Sequence, residues 1–169
     1  MTQLSIRPET PEDRPAVFSV NDCAFPTQLE AELVDRVRAE ALLSLVATTK
    51  HDVVGHALFT RVRVEGPGPE WTAAALGPIA VQPEFQREGV GGDLIREGLD
   101  RCAALGESVV FVLGSPDYYS KFGFVPAAPL DLHYEEASFD PYFMVWAHGE
   151  DPIAERTGFV RYHEAFSGV

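Results

Sequence analysis

The run Gln86-Arg87-Glu88-Gly89-Val90-Gly91-Gly92 holds the clearest chemistry in this chain. It follows an apolar stretch, Leu76 to Val81, and leads into residues with helical spacing. A strand that turns into a helix this way leaves several backbone N–H groups unpaired at the helix N-terminus. The helix dipole adds partial positive charge there, so the turn suits a phosphate or pyrophosphate. Glycine at 89, 91 and 92 lets backbone approach such a ligand with no Cβ between them. Arg87 stands where it adds charge at a phosphate or else faces solvent.

Two common phosphate patterns do not fit. The P-loop requires Lys directly after its last Gly, and none follows Gly91-Gly92. The dinucleotide fingerprint has its first spacing in Gly89 and Gly91, but Leu94 stands where its third Gly belongs. Other chemistry is sparse. His133, Glu135 and Glu136 match no ligand spacing and read as a solvated loop, so no metal is expected. Ser115 has no Gly two residues after it, which argues against a hydrolase elbow. Cys23 and Cys102 are far apart and read as reduced core residues.

The elements that must position the turn follow from periodicity. Gln3 to Arg7 alternates as a first strand, which Pro8 breaks. Thr10-Pro11 opens a helix that runs to about Cys23. A second helix covers roughly Gln28 to Glu40, with Leu29, Leu33, Val34 and Val37 on one face. Strands are expected at Leu42 to Thr49, Val53 to Glu65 and Trp71 to Val81. The turn then opens a helix from Val90 to Leu105, ended by Gly106. Ser108 to Leu113 reads as a buried strand and Pro116 to Phe122 as a short helix. Pro126 to Pro129 reads as loop, and Tyr142 to Ala147 and Gly158 to Tyr162 as strands. Hairpins mixed with one strand–helix–strand unit give an α+β, or mixed α/β, fold in one domain over residues 1–169.

The 169 residues carry a formal charge of −13. That argues against nucleic acid as a partner, because phosphate contacts need a basic surface. The charge either steers a cationic substrate or serves solubility. No apolar run is long enough to span a bilayer, and the first residues lack the order of a signal peptide, so a cytoplasmic protein with no membrane partner is expected.

Gln86-Arg87-x-Gly89-x-Gly91-Gly92 resembles motif A of the GNAT superfamily of N-acetyltransferases, written Q/R-x-x-G-x-G/A. Tyr118-Tyr119-Ser120-Lys121-Phe122-Gly123-Phe124 resembles that family's Tyr-x-x-x-Gly-Phe segment. Leu113-Gly114-Ser115-Pro116-Asp117-Tyr118-Tyr119, with the ending Gly158 to Phe166, is similar to the YhbS-like subgroup. The resemblance covers nearly the whole chain.

It implies a GNAT fold, a central, mostly antiparallel mixed sheet flanked by helices. It also implies acetyl-CoA as co-substrate and acetyl transfer to a primary amine, on a small molecule or peptide, by direct attack in a ternary complex. The turn Gln86, Arg87, Glu88, Gly89, Val90, Gly91 and Gly92 would hold the pyrophosphate. Ile79, Ala80 and Val81 would pair with the pantetheine arm, with the Val81 N–H as an oxyanion donor. Tyr119 would protonate the CoA sulfur, whereas from composition alone it reads as a packing aromatic beside Phe122 and Phe124.

The family's Asn before the Tyr is absent here, and the Ser115 hydroxyl is expected to contact the cofactor in its place. No general base is identified. His56 and Glu70 are candidates, each also readable as structural, and the family often relies on water. A non-catalytic CoA-sensing or partner-binding domain is the alternative, with a nucleotide-binding domain behind it. A homodimer paired through the C-terminal strand is compatible with the sequence.

Overall fold

The structure is a computed structural model that describes residues 3–167 and 169. Residues 1, 2 and 168 of the expected domain lie outside the described residues. The chain begins with β1 (Ser5–Pro8), α1 (Arg14–Ala24), α2 (Leu29–Val37) and β2 (Ala41–Thr48). Two long strands follow, β3 (Val53–Glu65) and β4 (Trp71–Val81), then α3 (Val90–Ala104), β5 (Val109–Leu113) and α4 (Pro116–Tyr119). Four strands follow, separated by 3-10 turns and loops: β6 (Val125–Pro126), β7 (Leu132–His133), β8 (Phe143–Ala147) and β9 (Gly158–Arg161).

The burial of β3 explains the layering. Val53 to Thr60 is buried at every position, as expected where helices cover both faces of a sheet. Beyond Thr60 the strand alternates, with Val62 and Val64 buried and Arg61 and Arg63 exposed. On one face, Val17, Val20, Leu33, Val34 and Val37 of α1 and α2 pack on Val46, Leu58 and Ala80. On the other, Val90, Leu94, Ile95, Leu99 and Cys102 of α3 pack on Ala57, Phe59, Ala74 and Val110. Close packing of α3 depends on Gly98, because a Cβ there would overlap the Phe59 ring.

The strand order is β1-β2-β3-β4-β5-β8-β6, antiparallel except for the β4–β5 pair. That pair is short: Ala74, Ala75 and Leu76 face Val110, Phe111 and Val112. After Leu76 the register between β3 and β4 shifts, at Gly77 and Pro78. Gly77 takes φ 144°, which side-chain-bearing residues rarely adopt. From there β4 keeps β3 as its partner, while no strand among the described residues pairs with its other edge. β9 uses a different gap. β2 pairs β3 only as far as Thr60, and β9 takes up the same edge at Arg63, Val64 and Glu65.

Several expectations change. Pro8 closes β1 rather than breaking it, which an edge strand tolerates. The second helix ends at Val37 and tightens into a 3-10 turn over Arg38–Glu40. The expected loop at 126–129 holds the end of β6 and the start of a 3-10 turn, Ala128–Leu130. Cys102 is buried as expected, but Cys23 is exposed because it falls on the outer side of α1. β9 pairs with β3 and, in parallel, with β7. No helix among the described residues is long and apolar enough to cross a membrane.

Gly98→Ala should destabilise the protein by about 1–3 kcal/mol through overpacking, although alanine favours helix. Urea unfolding would measure this, and combining it with Phe59→Leu should recover part of the loss.

Candidate active site

The Gly-rich turn and the unpaired edge of β4 meet in a cleft of about 500 Å³. Its lining includes Ile79, Ala80, Val81, Gln86, Arg87, Gly89, Val90, Gly91 and Gly92. Glu88 of the same run is exposed and does not line the cleft. Gly89 caps α3 with φ 90° and no side-chain bond, and the first helical bond runs from Asp93 N–H to its carbonyl. The N–H groups of Val90, Gly91 and Gly92 therefore have no intrahelical acceptor. A Cβ on Gly91 would meet the Tyr118 hydroxyl at 3.0 Å, so the smallest residue keeps the cleft open there.

Backbone alternation orients the β4 edge. Gln82 N–H donates to Val54 O at 2.9 Å, which places residue 82 in a bonded pair with β3. In an antiparallel ladder the next bonded pair is Ala80 with His56, so the backbone groups of Ile79 and Val81 turn outward and those of Ala80 turn to β3. The Val81 carbonyl confirms this, since it accepts from Gln86 Nε2 at 3.0 Å rather than from β3.

A second cavity, of about 280 Å³, adjoins the first and shares Phe25 and Ile79 with it. It lies in the wedge where β4 parts from β5, floored by Leu76 and Val112. Tyr119 lines it, held edge-on against Tyr118 and Phe124 at ring centroid distances of 5.0 and 5.7 Å. Gly114 makes room for this ring, because a Cβ there would overlap it. Burial pushes the Tyr119 phenol up to about 12 and the Tyr134 phenol likewise to about 12. Burial also raises Tyr162, with further contributions from Tyr134 and Tyr119. All three phenols in this cavity keep their protons at neutral pH.

The remaining sequence candidates fall elsewhere. His56 is fully buried and lines neither cavity. Asn21 Nδ2 donates to its Nδ1 at 3.1 Å, which leaves the proton on Nε2 to bond Ser44 Oγ at 2.9 Å. Ser44 donates onward to Glu9, which also binds Arg38. Burial lowers His56 to about 4, so it is neutral with both nitrogens engaged, a structural residue and not a base. Glu70 precedes β4 at the end away from Val81 and pairs with Arg63 at 3.1 Å. Ser115 is exposed at the N-cap of α4 and lines neither cavity. His133 lies on β7 rather than in a loop, clasped by Asp140 and Asp131, which raise its pKa. No metal-holding cluster occurs among the described residues.

The family description "Acetyltransferase (GNAT) domain" matches residues 5–127. The chain belongs to the GNAT acetyltransferase family. YhbS of Escherichia coli K12, an N-acetyltransferase, is 34% identical over 167 residues, which cover 97% of this chain and 99% of its own. The crystal structure of E. coli YhbS in complex with CoA superimposes with a TM-score of 0.90 at 33% identity, over 98% of this chain and 93% of that one. A GNAT acetyltransferase of Brucella melitensis, in complex with acetyl-CoA, gives 0.78 at 36% identity over 98% and 99%. The GNAT fold expected from the sequence is the fold observed.

Some lining residues are not singled out by the sequence. Tyr118 and Lys121 line the GNAT cleft beside the Gly-rich turn. Phe25, Glu30, Tyr134, Tyr162 and Phe166 wall the second cavity from distant parts of the chain. Only Tyr118 and Lys121 could have been noticed, through their closeness to Tyr119.

His56 also sets a pH response. An unfolded histidine binds a proton near pH 6.5 and the folded one does not until about 4, so stability falls as pH drops through this window. The contribution is of the order of 3 kcal/mol. Urea unfolding between pH 7 and 4 should show this component in the wild type and lose it in His56→Gln. Equal slopes would overturn the buried, neutral assignment.

Proposed function

We propose that this protein transfers an acetyl group from acetyl-CoA to a primary amine by direct attack in a ternary complex. The observation that carries this reading is the uncapped α3 N-terminus, set beside an open strand edge that leads to Tyr119. The CoA and acetyl-CoA complexes of the two relatives, at 33% and 36% identity, support the choice of donor.

The pyrophosphate would take the N–H groups of Val90, Gly91 and Gly92, with Arg87 and Lys121 supplying charge at the cleft. Gln86 positions the turn through its bond to the Val81 carbonyl. The pantetheine amides would add to the outward groups of Ile79 and Val81 as an extra strand. Ala80 contributes packing, since its backbone faces β3. The thioester then lies where β4 parts from β5, with the Val81 N–H set to stabilise the tetrahedral oxyanion.

Tyr119 acts on the leaving group. A phenol raised to about 12 holds its proton at working pH and releases it to a departing thiolate, aided by the charge that develops on sulfur.

Two substitutions test these roles separately. Gly91→Val should weaken acetyl-CoA binding by at least about tenfold in calorimetric titration, because its side chain enters the cleft at Tyr118. Full affinity would overturn the pyrophosphate assignment. Tyr119→Phe should lower kcat by about 100-fold while acetyl-CoA affinity holds. An unchanged kcat would remove the phenol from the mechanism.

A further inference from the structure

The second cavity contains a carboxylate that nothing above employs. Glu30 lies in the first turn of α2, and its side chain lines the cavity. Its Oε2 is buried and has no hydrogen-bond partner among the described residues. The Tyr162 hydroxyl, in the same cavity, is also buried without a partner among them. A buried carboxylate oxygen left unpaired is costly, and a ligand cation is one of the few things that can complete it.

The surroundings narrow that cation. Tyr119, Tyr134 and Tyr162 bring three phenols to the cavity, and Phe25, Leu33 and Phe166 close it with apolar surface. Tyr134 and Tyr162 stand edge to face at 5.0 Å, and Tyr162 meets Phe166 at 5.3 Å. Aromatic faces attract an ammonium, most strongly where water is excluded. A volume of about 280 Å³ admits a small molecule and no folded partner. Among the described residues, no Lys or Arg lines the cavity to compete for the carboxylate.

We infer that this cavity binds the acceptor as a primary ammonium on a short apolar or aromatic arm, with its charge paired to Glu30. The inference rests on the acetyltransferase reading and assigns the acceptor end of that site. The ammonium gives one proton to the Glu30 carboxylate, which passes it to solvent. The freed nitrogen lone pair forms the N–C bond at the thioester carbon. As the C–S bond breaks, sulfur takes a proton from Tyr119, which is restored by the second proton leaving nitrogen. The products are the amide, CoA thiol and one proton in solution.

Phenethylamine is a suitable probe, with 2-phenylethanol as its neutral counterpart. Calorimetric titration of the intact protein should show phenethylamine binding at least about tenfold tighter than the alcohol, and Glu30→Gln should remove that preference. With acetyl-CoA present, Glu30→Gln should raise KM for phenethylamine by a similar factor and leave acetyl-CoA affinity unchanged. Equal binding of amine and alcohol by the wild type, or an amine affinity indifferent to Glu30→Gln, would overturn the inference. The comparison of the two probes needs no variant, so it stands even if Glu30→Gln fails to fold. Acetyl-CoA binding without amine binding would overturn this inference and leave the proposed function intact. Charge-selective amine binding without acetyl-CoA binding would overturn the proposed function and the acceptor role with it, leaving an ammonium site at Glu30.

Discussion

The parting of β4 from β5 after Leu76 is the constraint on which the rest of the structure depends. Three residue pairs hold the two strands together in parallel, and then the ladder stops. Parallel strands cannot be joined by a tight turn, so α3 must cross between them, and its N-terminus necessarily falls beside the end of β4. The break thus fixes two things at once. It exposes the outward backbone groups of Ile79 and Val81, and it brings the unpaired amides of α3 alongside them. Gly77 and the register shift it makes against β3 let β4 turn away without losing its other partner.

What borders the wedge is set by close packing rather than by hydrogen bonding. Gly98 brings α3 down onto Phe59, Gly114 admits the Tyr119 ring, and Gly91 keeps the cleft clear of Tyr118. Beneath, a buried chain from Asn21 through His56 and Ser44 to Glu9 and Arg38 ties α1, β3 and β2 to the start of the fold. Each link joins a donor to an acceptor, although the Asn21 Oδ1 is buried without a partner among the described residues. A neutral His56 is the consequence, and it takes the one central histidine of the sheet out of consideration as a base.

The sequence made legible whatever is local and periodic. β3 and β4 run over the same residues as expected, since long apolar runs and flanking turn residues mark them. The helix after the Gly-rich turn and its start at Val90 were equally plain. Two-residue strands such as β6 and β7 have no period to read. The cleft beside α3 was visible because its residues lie within one short run. The second cavity was not, because Phe25, Glu30, Tyr134 and Tyr162 come from separate segments and share no spacing. Burial also escapes spacing: Cys23 lies exposed on α1 and His56 is sealed within the core, because spacing does not say which side of an element its neighbours cover.

The walls of the second cavity come from the end of α1 at Phe25 and from α2, from β4, from β5 and α4, and from the segments after β7 and β9. No stretch of chain short of nearly the whole can form it. A molecule seated there is in effect a fastener across the fold, with affinity for the folded chain and none for the unfolded one. By linkage, an occupant at 100 times its dissociation constant adds about 2.7 kcal/mol to global stability. The same site would therefore report its ligand through resistance to heat and proteolysis, long before any product is identified.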